Sequence, residues 1–223
     1  MINVWPSNEL VLISSGKVRL PGMLTLPQDP RGMVLFTHGS GSGRLSPHDN
    51  NIAGEFRRAG LWTLQLGLSG HDTDIADNDR IDDALIGARL GDAVNWLAGE
   101  PETKRLAIGL FGTRKGSAAA LQLAACRPEQ IAAVVSRGGR PDLAGGHALA
   151  RVRAPTLLIV GGEDHGVVEH NRQALGELAC EKELAVVRGA THLFEERGAL
   201  AEVARLAARW FKGYLGAQGH STA

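Results

Sequence analysis

The sequence predicts an α/β protein with a doubly wound, mostly parallel sheet of about eight strands and helices on both faces. From residue 33 onward, short apolar runs alternate with helical segments through short connections, which is typical of parallel strands joined by helices. The apolar runs are also uninterrupted, as expected for strands buried on both faces. The 223 residues fit one domain, 1–223, with no insertion large enough to form a cap domain.

The composition argues against several classes of function. The formal net charge is zero, so nothing predicts binding to nucleic acid or to an anionic membrane. No apolar stretch approaches the ~18 residues of a membrane-spanning helix, and the N-terminus lacks the regions of a secretory signal. We therefore expect a cytoplasmic protein, either a monomer or a homodimer. Its two cysteines, Cys126 and Cys180, are expected to be buried and reduced.

The first predicted element is a β-hairpin. Residues 10–14 and 18–26 form its two strands, and Pro21 interrupts the second strand. Proline in sheets is confined to edges and bulges, so the hairpin belongs at one edge of the sheet. The segments 1–9 and 216–223 at the two ends of the chain are expected to be loose.

The remaining elements alternate between strand and helix. The predicted strands span residues 33–37, 61–66, 105–111, 131–135, 155–160 and 183–187. The predicted helices span residues 47–59, 81–97, 117–125 and 168–178, and a final helix begins near Leu200. In sheets of this kind the loops at the carboxyl ends of the strands form the ligand crevice, so functional residues are expected on those loops.

One strand–turn–helix segment, residues 106–121, has the layout of a nucleophile elbow. An apolar strand turns through Gly-Thr-Arg-Lys-Gly, residues 112–116, into an alanine-rich helix. The two glycines permit a turn so tight that side chains would collide. In the usual G-x-S-x-G pattern the middle residue is serine, whereas here it is Arg114. An arginine stays protonated and offers no hydroxyl or thiol to act as a nucleophile.

Two further residues follow the last two predicted strands. Asp164 comes after the strand 155–160, and His192 comes after the strand 183–187. A carboxylate bound to the imidazole Nδ1–H fixes the tautomer and stabilises the imidazolium, so the pair could act as a general base. Plainer interpretations exist for both residues. Asp164 could cap the helix that follows it, and a histidine in a terminal loop is commonly a surface residue.

With these residues in this order, the sequence resembles the α/β-hydrolase superfamily, and within it the small, capless dienelactone-hydrolase-like branch. The resemblance covers nearly the whole chain, from His38 to the last helix. It implies that Asp164 is the acid, that His192 is the base and that Arg114 occupies the position of the nucleophile. The residues expected to bind the oxyanion or the substrate are His38, Gly39, Ser40, Lys115, Ser136 and Arg137.

The resemblance implies hydrolysis of small carboxylic esters or lactones. Because the serine is missing, the expected activity is weak, altered or lost. If chemistry survives, the Asp164–His192 pair would act as a general base while Arg114 holds a carboxylate or an oxyanion. The alternative is a non-catalytic protein that binds a small anionic ligand through Arg114 and Lys115 at a helix N-terminus.

Other motifs are weaker. The Asp-rich stretch 72–79 lacks a recognised ligand spacing, and the glycine-rich loop after His38 lacks the Lys-Ser/Thr ending of a phosphate loop, so we expect no metal and no cofactor. Ser117 is expected to bond to the backbone. The loop serines are weak substitutes for the missing nucleophile; they are Ser40, Ser42 and Ser136.

Overall fold

A single eight-stranded sheet forms the centre of the computed structural model, which describes residues 7–37, 47–68 and 83–216. Its strands are β1 (Ser7–Ser15), β2 (Val18–Leu26), β3 (Gly32–Thr37), β4 (Leu61–Leu66), β5 (Ile108–Thr113), β6 (Ile131–Arg137), β7 (Thr156–Gly161) and β8 (Lys182–Val187). They lie in the order β1-β2-β4-β3-β5-β6-β7-β8. The hairpin β1–β2 joins β4 in antiparallel fashion, and strands β3 to β8 are parallel to one another. The predicted fold class and the edge position of the hairpin are confirmed.

Helices cover both faces of the sheet. They are α1 (Pro47–Arg58), α2 (Asp83–Gly99), α3 (Lys115–Cys126), α4 (Gly146–Leu149), α5 (His165–Glu177) and α6 (Ala199–Leu215), with a short 3₁₀ helix at Pro141–Ala144. Helices α1 and α6 pack on one face, and α2 and α3 pack together on the other. Among the described residues, no helix has both the length and the apolar character needed to cross a membrane.

An aromatic cluster fixes the face that α1 and α6 cover. Phe36 of β3, Phe56 of α1 and Phe111 of β5 are fully buried, and their ring centroids lie 5.1–5.6 Å apart. Phe211 of α6 meets Phe56 edge-to-face at 5.4 Å. Aromatic pairs in this geometry are worth about 0.5–1.5 kcal/mol beyond the area that they bury. The cluster therefore locks β5, which carries the elbow, to β3 and to both helices.

Two expectations about the N-terminal hairpin and the cysteines are corrected. Strand β1 begins at Ser7 because its ladder with β2 continues to the pair Ser7–Leu26, so residues 7–9 of the predicted loose segment 1–9 are paired. Cys126 is exposed because it is the last residue of α3, and Cys180 is only partly buried; both thiols are free.

The positions of some functional loops also differ from the prediction. Strand β6 runs two residues further than predicted, to Arg137, and the 3₁₀ helix and α4 that follow it were not predicted. Helix α3 begins at Lys115 and α5 begins at His165, so both start directly after a candidate site residue. At the C-terminus, Gly216 follows α6 directly, and residues 217–223 lie outside the described residues.

Gly109 in β5 has no room for a side chain, because a Cβ atom there would lie 2.6 Å from Phe211 Cε1. We expect Gly109→Ala to lower the free energy of unfolding by about 1–3 kcal/mol, since Phe211 must leave a close-packed cluster. Urea denaturation measures this change. Gly213→Ala in α6 is the control, because a Cβ there meets nothing within 4 Å. Alanine should raise stability at this helical position by up to about 1 kcal/mol, and equal losses in both variants would contradict the packing argument.

Candidate active site

The elbow is built around Arg114, which lies between the end of β5 and the first residue of α3. Its backbone adopts φ 51° and ψ −126°, a conformation that residues with side chains rarely occupy. Such strain, of order 1–3 kcal/mol, persists only where the surrounding structure fixes the backbone. The contacts around the turn must therefore hold it in place.

Contacts on both sides of the turn hold the Arg114 backbone in this conformation. A Cβ atom on Gly112 would lie 2.7 Å from Ser117 Cα, so glycine is needed for α3 to fold back this closely onto β5. The buried Thr37 hydroxyl donates to the Gly116 carbonyl at 3.0 Å, which ties the start of α3 to β3. The Arg114 carbonyl accepts a hydrogen bond from the Ser117 N–H at 3.2 Å.

Asp164 and His192 meet across the ends of β7 and β8. His192 Nδ1 lies 2.7 Å from Asp164 Oδ2, a distance at which a neutral imidazole donates its Nδ1 proton to the carboxylate. Asp164 occupies the N-cap position of α5, but its side chain makes no capping hydrogen bond. The two loops approach closely at Gly161, where a Cβ would lie 2.5 Å from the carbonyl oxygens of Ala190 and Thr191. The geometry thus favours the acid–histidine interpretation of Asp164 over the capping one.

Glu196 stabilises the loop that carries His192 through hydrogen bonds to Thr191. Its Oε1 accepts hydrogen bonds from the Thr191 N–H at 3.0 Å and from the Thr191 hydroxyl at 2.6 Å. The Thr191 hydroxyl bond holds the pKa of Glu196 below its ordinary value. Phe194, with φ 57° and a fully buried side chain, anchors the other end of the loop in the core. His192 itself is 42% exposed, so its ring stays accessible between two fixed residues.

Two cationic residues lie at the tip of the elbow. Arg114 and Lys115 are exposed, and neither forms an ion pair with any residue in the described ranges. Both lie at the N-terminus of α3, where the helix dipole and the free backbone N–H groups attract negative charge. This end of the sheet is therefore suited to an anion.

A third cation, Arg137, lies at the end of the neighbouring strand β6, at the same end of the sheet. Its side chain is 13% exposed, and its Nη1 lies 3.7 Å from Oδ1 of Asp49, which is almost fully buried in α1. The guanidinium carbon sits 6.0 Å from the Phe194 ring centroid, within range of a cation–π contact. Burial lowers the pKa of Arg137, Asp49 opposes that shift, and the charge on Arg114 adds to it.

A separate ion pair secures the loop after β6. Arg140 binds Asp142 through two nitrogens at 2.8 and 2.7 Å, and His170 Nδ1 of α5 lies 3.7 Å from the same carboxylate. The Arg140 hydrogen bond holds the pKa of Asp142 below its ordinary value. The Arg140 N–H approaches the Arg114 carbonyl at 3.5 Å, so this loop also supports the elbow.

The structure gathers some of the sequence-predicted site residues and separates others. The residues that come to one end of the sheet are Arg114, Lys115, Arg137, Asp164 and His192. Ser136 is fully buried in β6, where its hydroxyl and that of Ser117 both face Gly139, so it is not accessible to a substrate from solvent. The remaining predictions lie outside the described residues; they concern His38, Gly39, Ser40, Ser42 and the stretch 72–79.

Ser117, in the first turn of α3, is also fully buried. The backbone hydrogen bond expected of its hydroxyl is absent among the described residues. Within the same ranges, no three His, Cys, Asp or Glu side chains cluster closely enough to hold a metal ion.

Comparison with known proteins identifies the family. Residues 73–214 match the dienelactone hydrolase family. The chain belongs to the dienelactone hydrolase family. The crystal structure of a dienelactone hydrolase from Anabaena variabilis superimposes on it with a TM-score of 0.91 and 47% identity, covering 94% of this chain and 99% of that chain. The dienelactone hydrolase-like promiscuous phosphotriesterase P91, from metagenomic libraries, has a TM-score of 0.78 at 19% identity over 95% of this chain and 99% of its own, which shows a shared fold.

Two curated relatives of this family member come from Mycobacterium tuberculosis, strains CDC 1551 and H37Rv, and carry the provisional name phosphoribosyl transferase. Each is 45% identical over 214 residues, which is 96% of this chain and 48% of the relative. The chain therefore spans about half the length of the curated relatives it matches.

Sequence reasoning missed three supporting residues: Thr37, Asp49 and Glu196. The role of Thr37 could have been predicted in part, because it is a polar residue at the carboxyl end of an otherwise apolar strand. Asp49 pairs with a residue 88 positions away, and Glu196 acts through a loop of irregular backbone, so neither has a spacing that would reveal its role.

Thr37→Val tests the tie between β3 and the elbow. Valine keeps the shape of the side chain and removes the hydroxyl that donates to Gly116, so we expect unfolding free energy to fall by about 1 kcal/mol or more. Ser136→Ala is the matched control, because the Ser136 hydroxyl is buried without a hydrogen-bond partner among the described residues. Its removal should leave stability unchanged or raised. Chemical denaturation measures both, and a larger loss for Ser136→Ala would refute this assignment of the hydrogen bonds.

Asp142→Asn tests the ion pair of the loop after β6. Because the folded pKa of Asp142 is depressed, its stabilisation is complete above the ordinary value of 3.8 and is lost as pH falls through the folded pKa. We therefore expect the variant to be less stable than the wild type at neutral pH and to approach it in acid. Urea titrations over a pH series measure the difference. A gap that stays constant into acid would show that Arg140 and His170 do not stabilise the carboxylate.

Proposed function

We propose that this member of the dienelactone hydrolase family lacks acyl-enzyme catalysis and retains an acid–base pair beside a cationic site for a small anionic ester or lactone. One observation carries the proposal: the elbow keeps its strained backbone and carries an arginine at its tip, at the same end of the sheet as an assembled Asp164–His192 pair. Hydrolysis by a serine nucleophile requires a hydroxyl at this tip, and Arg114 has none.

Hydrolysis at such a site would proceed by direct attack of water. The water oxygen bonds to the carbonyl carbon while its proton passes to His192 Nε2, and Asp164 stabilises the imidazolium that forms. The imidazolium then returns the proton to the departing alkoxide, which leaves a carboxylic acid and an alcohol. The Lys115 N–H, at the start of α3, is the donor available to the oxyanion, and the Arg114 guanidinium holds the anionic group of the substrate.

A second candidate function, binding without turnover, rests on the same cations. Arg114 and Lys115 are exposed at a helix N-terminus, where they attract an anion whether or not chemistry follows. The mycobacterial relatives are named for a phosphoribosyl transferase activity, but this chain spans only about half of their length, so we do not propose that activity for it. The phosphoribosyl group in that name carries a phosphate, however, which is one of the anions that such a site would accept.

Arg114→Ser tests whether the nucleophile is the missing part. Serine would receive the fixed elbow and the assembled acid–histidine pair, so we expect turnover of p-nitrophenyl acetate to rise by about 10²-fold or more, with a burst from acylation. Release of p-nitrophenol, followed in stopped flow, measures both. Arg114→Ala is the control for loss of the cation alone and should show no gain. Adding His192→Ala to Arg114→Ser should abolish the gain.

Wild-type protein that turns over p-nitrophenyl acetate as fast as Arg114→Ser would contradict the proposal. A p-nitrophenyl ester with a free carboxylate separates the two candidate functions. Faster hydrolysis by the wild type than by His192→Ala supports water attack, and equal rates support binding alone.

A further inference from the structure

We propose that the cationic elbow selects a phosphate monoester in its doubly charged form, held between the exposed Arg114 and the largely buried Arg137. The inference rests on the proposed function for one point, that the ligand lies at the elbow. It goes further in naming the chemical class of the ligand and in assigning a role to the cation beneath the surface.

The sheet places Arg137 beside the tip of the elbow. Strand β6 lies between β5, which carries the elbow, and β7, which leads to Asp164. In the β5–β6 ladder, Arg137 pairs with Thr113, the residue immediately before Arg114. The guanidinium lies 6.0 Å from the ring centroid of Phe194, two residues beyond His192, so it is close to the loop that carries the histidine.

The bonding of Arg137 leaves part of its donor capacity unused. Its carboxylate neighbour, Asp49, lies at 3.7 Å, which is beyond hydrogen-bond length. Nη1 of Arg137 is buried and has no hydrogen-bond partner within the described part of the chain. A second carboxylate at this end of the sheet, that of Asp164, is bound to His192. A buried guanidinium nitrogen without an acceptor favours an acceptor that comes from a ligand.

The number and kind of donors favour phosphate over carboxylate. Three cationic residues lie at this end of the sheet: Arg114 and Lys115 at the elbow and the start of α3, and Arg137 at the end of the neighbouring strand β6. A carboxylate has two oxygens, whereas a phosphate monoester has three terminal oxygens and guanidinium groups bind them in paired geometry. Burial lowers the pKa of Arg137, and the positive charge of Arg114 adds to this shift; an anion between the two guanidinium groups would offset their repulsion.

Methyl phosphate and methyl sulfate form a matched pair of probes. Both are tetrahedral, but well above the second pKa of a phosphate ester, about 6, methyl phosphate carries two charges and methyl sulfate one. Isothermal titration calorimetry of the wild-type protein at pH ~8, with ionic strength held constant, should show methyl phosphate binding at least about tenfold more tightly. Equal affinities, or no binding of either probe, would overturn the proposal.

Variants then assign the selectivity to Arg137. Removing Arg137 alone would take an ion pair from the buried Asp49 carboxylate, so the test uses the double variant Arg137→Gln and Asp49→Asn, with folding checked by circular dichroism. The ratio of the two affinities should fall toward one in the double variant. It should stay unchanged in Arg151→Gln, which alters an exposed arginine before the amino end of β7, at the opposite end of the sheet. A ratio that survives in the double variant would show that Arg137 plays no part.

This result is independent of catalysis, because it measures binding and not turnover. Selective binding without a gain in Arg114→Ser would leave the phosphate site standing and refute the proposed origin of the lost activity. A gain of activity in Arg114→Ser without selective binding of methyl phosphate would support the hydrolase ancestry of the site and refute its preference for phosphate.

Discussion

The turn at Arg114 is the constraint on which the site depends. A backbone at φ 51° and ψ −126° is unfavourable for arginine, and the contacts identified around the turn in the described part of the chain come from neighbouring residues rather than from the arginine side chain. The absence of a Cβ on Gly112 and the Thr37 hydroxyl fix the path of the chain on either side of the tip. The elbow is therefore maintained by its supports, so the chemistry of the tip residue can change while the fold stays intact.

Placing a cation at this tip changes which charge the site stabilises. In a serine hydrolase the donors of an elbow act on charge that develops in the transition state, which accelerates the reaction. A guanidinium instead attracts an anion that is charged before any reaction begins. Such binding stabilises the ground state and the transition state alike, so it lowers KM without raising kcat. In the phosphate site that we propose, the largely buried Arg137 adds to this attraction, and its ion pair with Asp49 offsets part of the cost of burying its charge.

The sequence predicts the sheet well because its strands are continuous apolar runs, whose period and length leave little ambiguity. It also predicts that Asp164 and His192 approach each other, since neighbouring parallel strands end at the same edge. The sequence does not predict which side chains face which side of the sheet at the carboxyl end of β6. With β6 ending at Arg137, Ser136 shares a face with Val134 toward α3, and Arg137 points toward α1 and α6. A shift of one residue in the register of a strand moves every side chain to the opposite face, and amino-acid composition does not reveal such a shift.

The Asp164–His192 pair is difficult to explain by stability alone. Exposed ion pairs contribute about 0–1 kcal/mol, and His192 is 42% exposed. At the N-cap of α5, the Asp164 carboxylate could instead bond to the first backbone N–H groups, which is typically worth about 1 kcal/mol. It does not do so. Its bond to His192 replaces a contact of comparable or greater value to the fold, and Glu196 further fixes the loop that presents the ring. This arrangement favours a role for the histidine in handling a proton or a ligand, and it makes water attack by the acid–histidine pair the stronger of the two candidate functions.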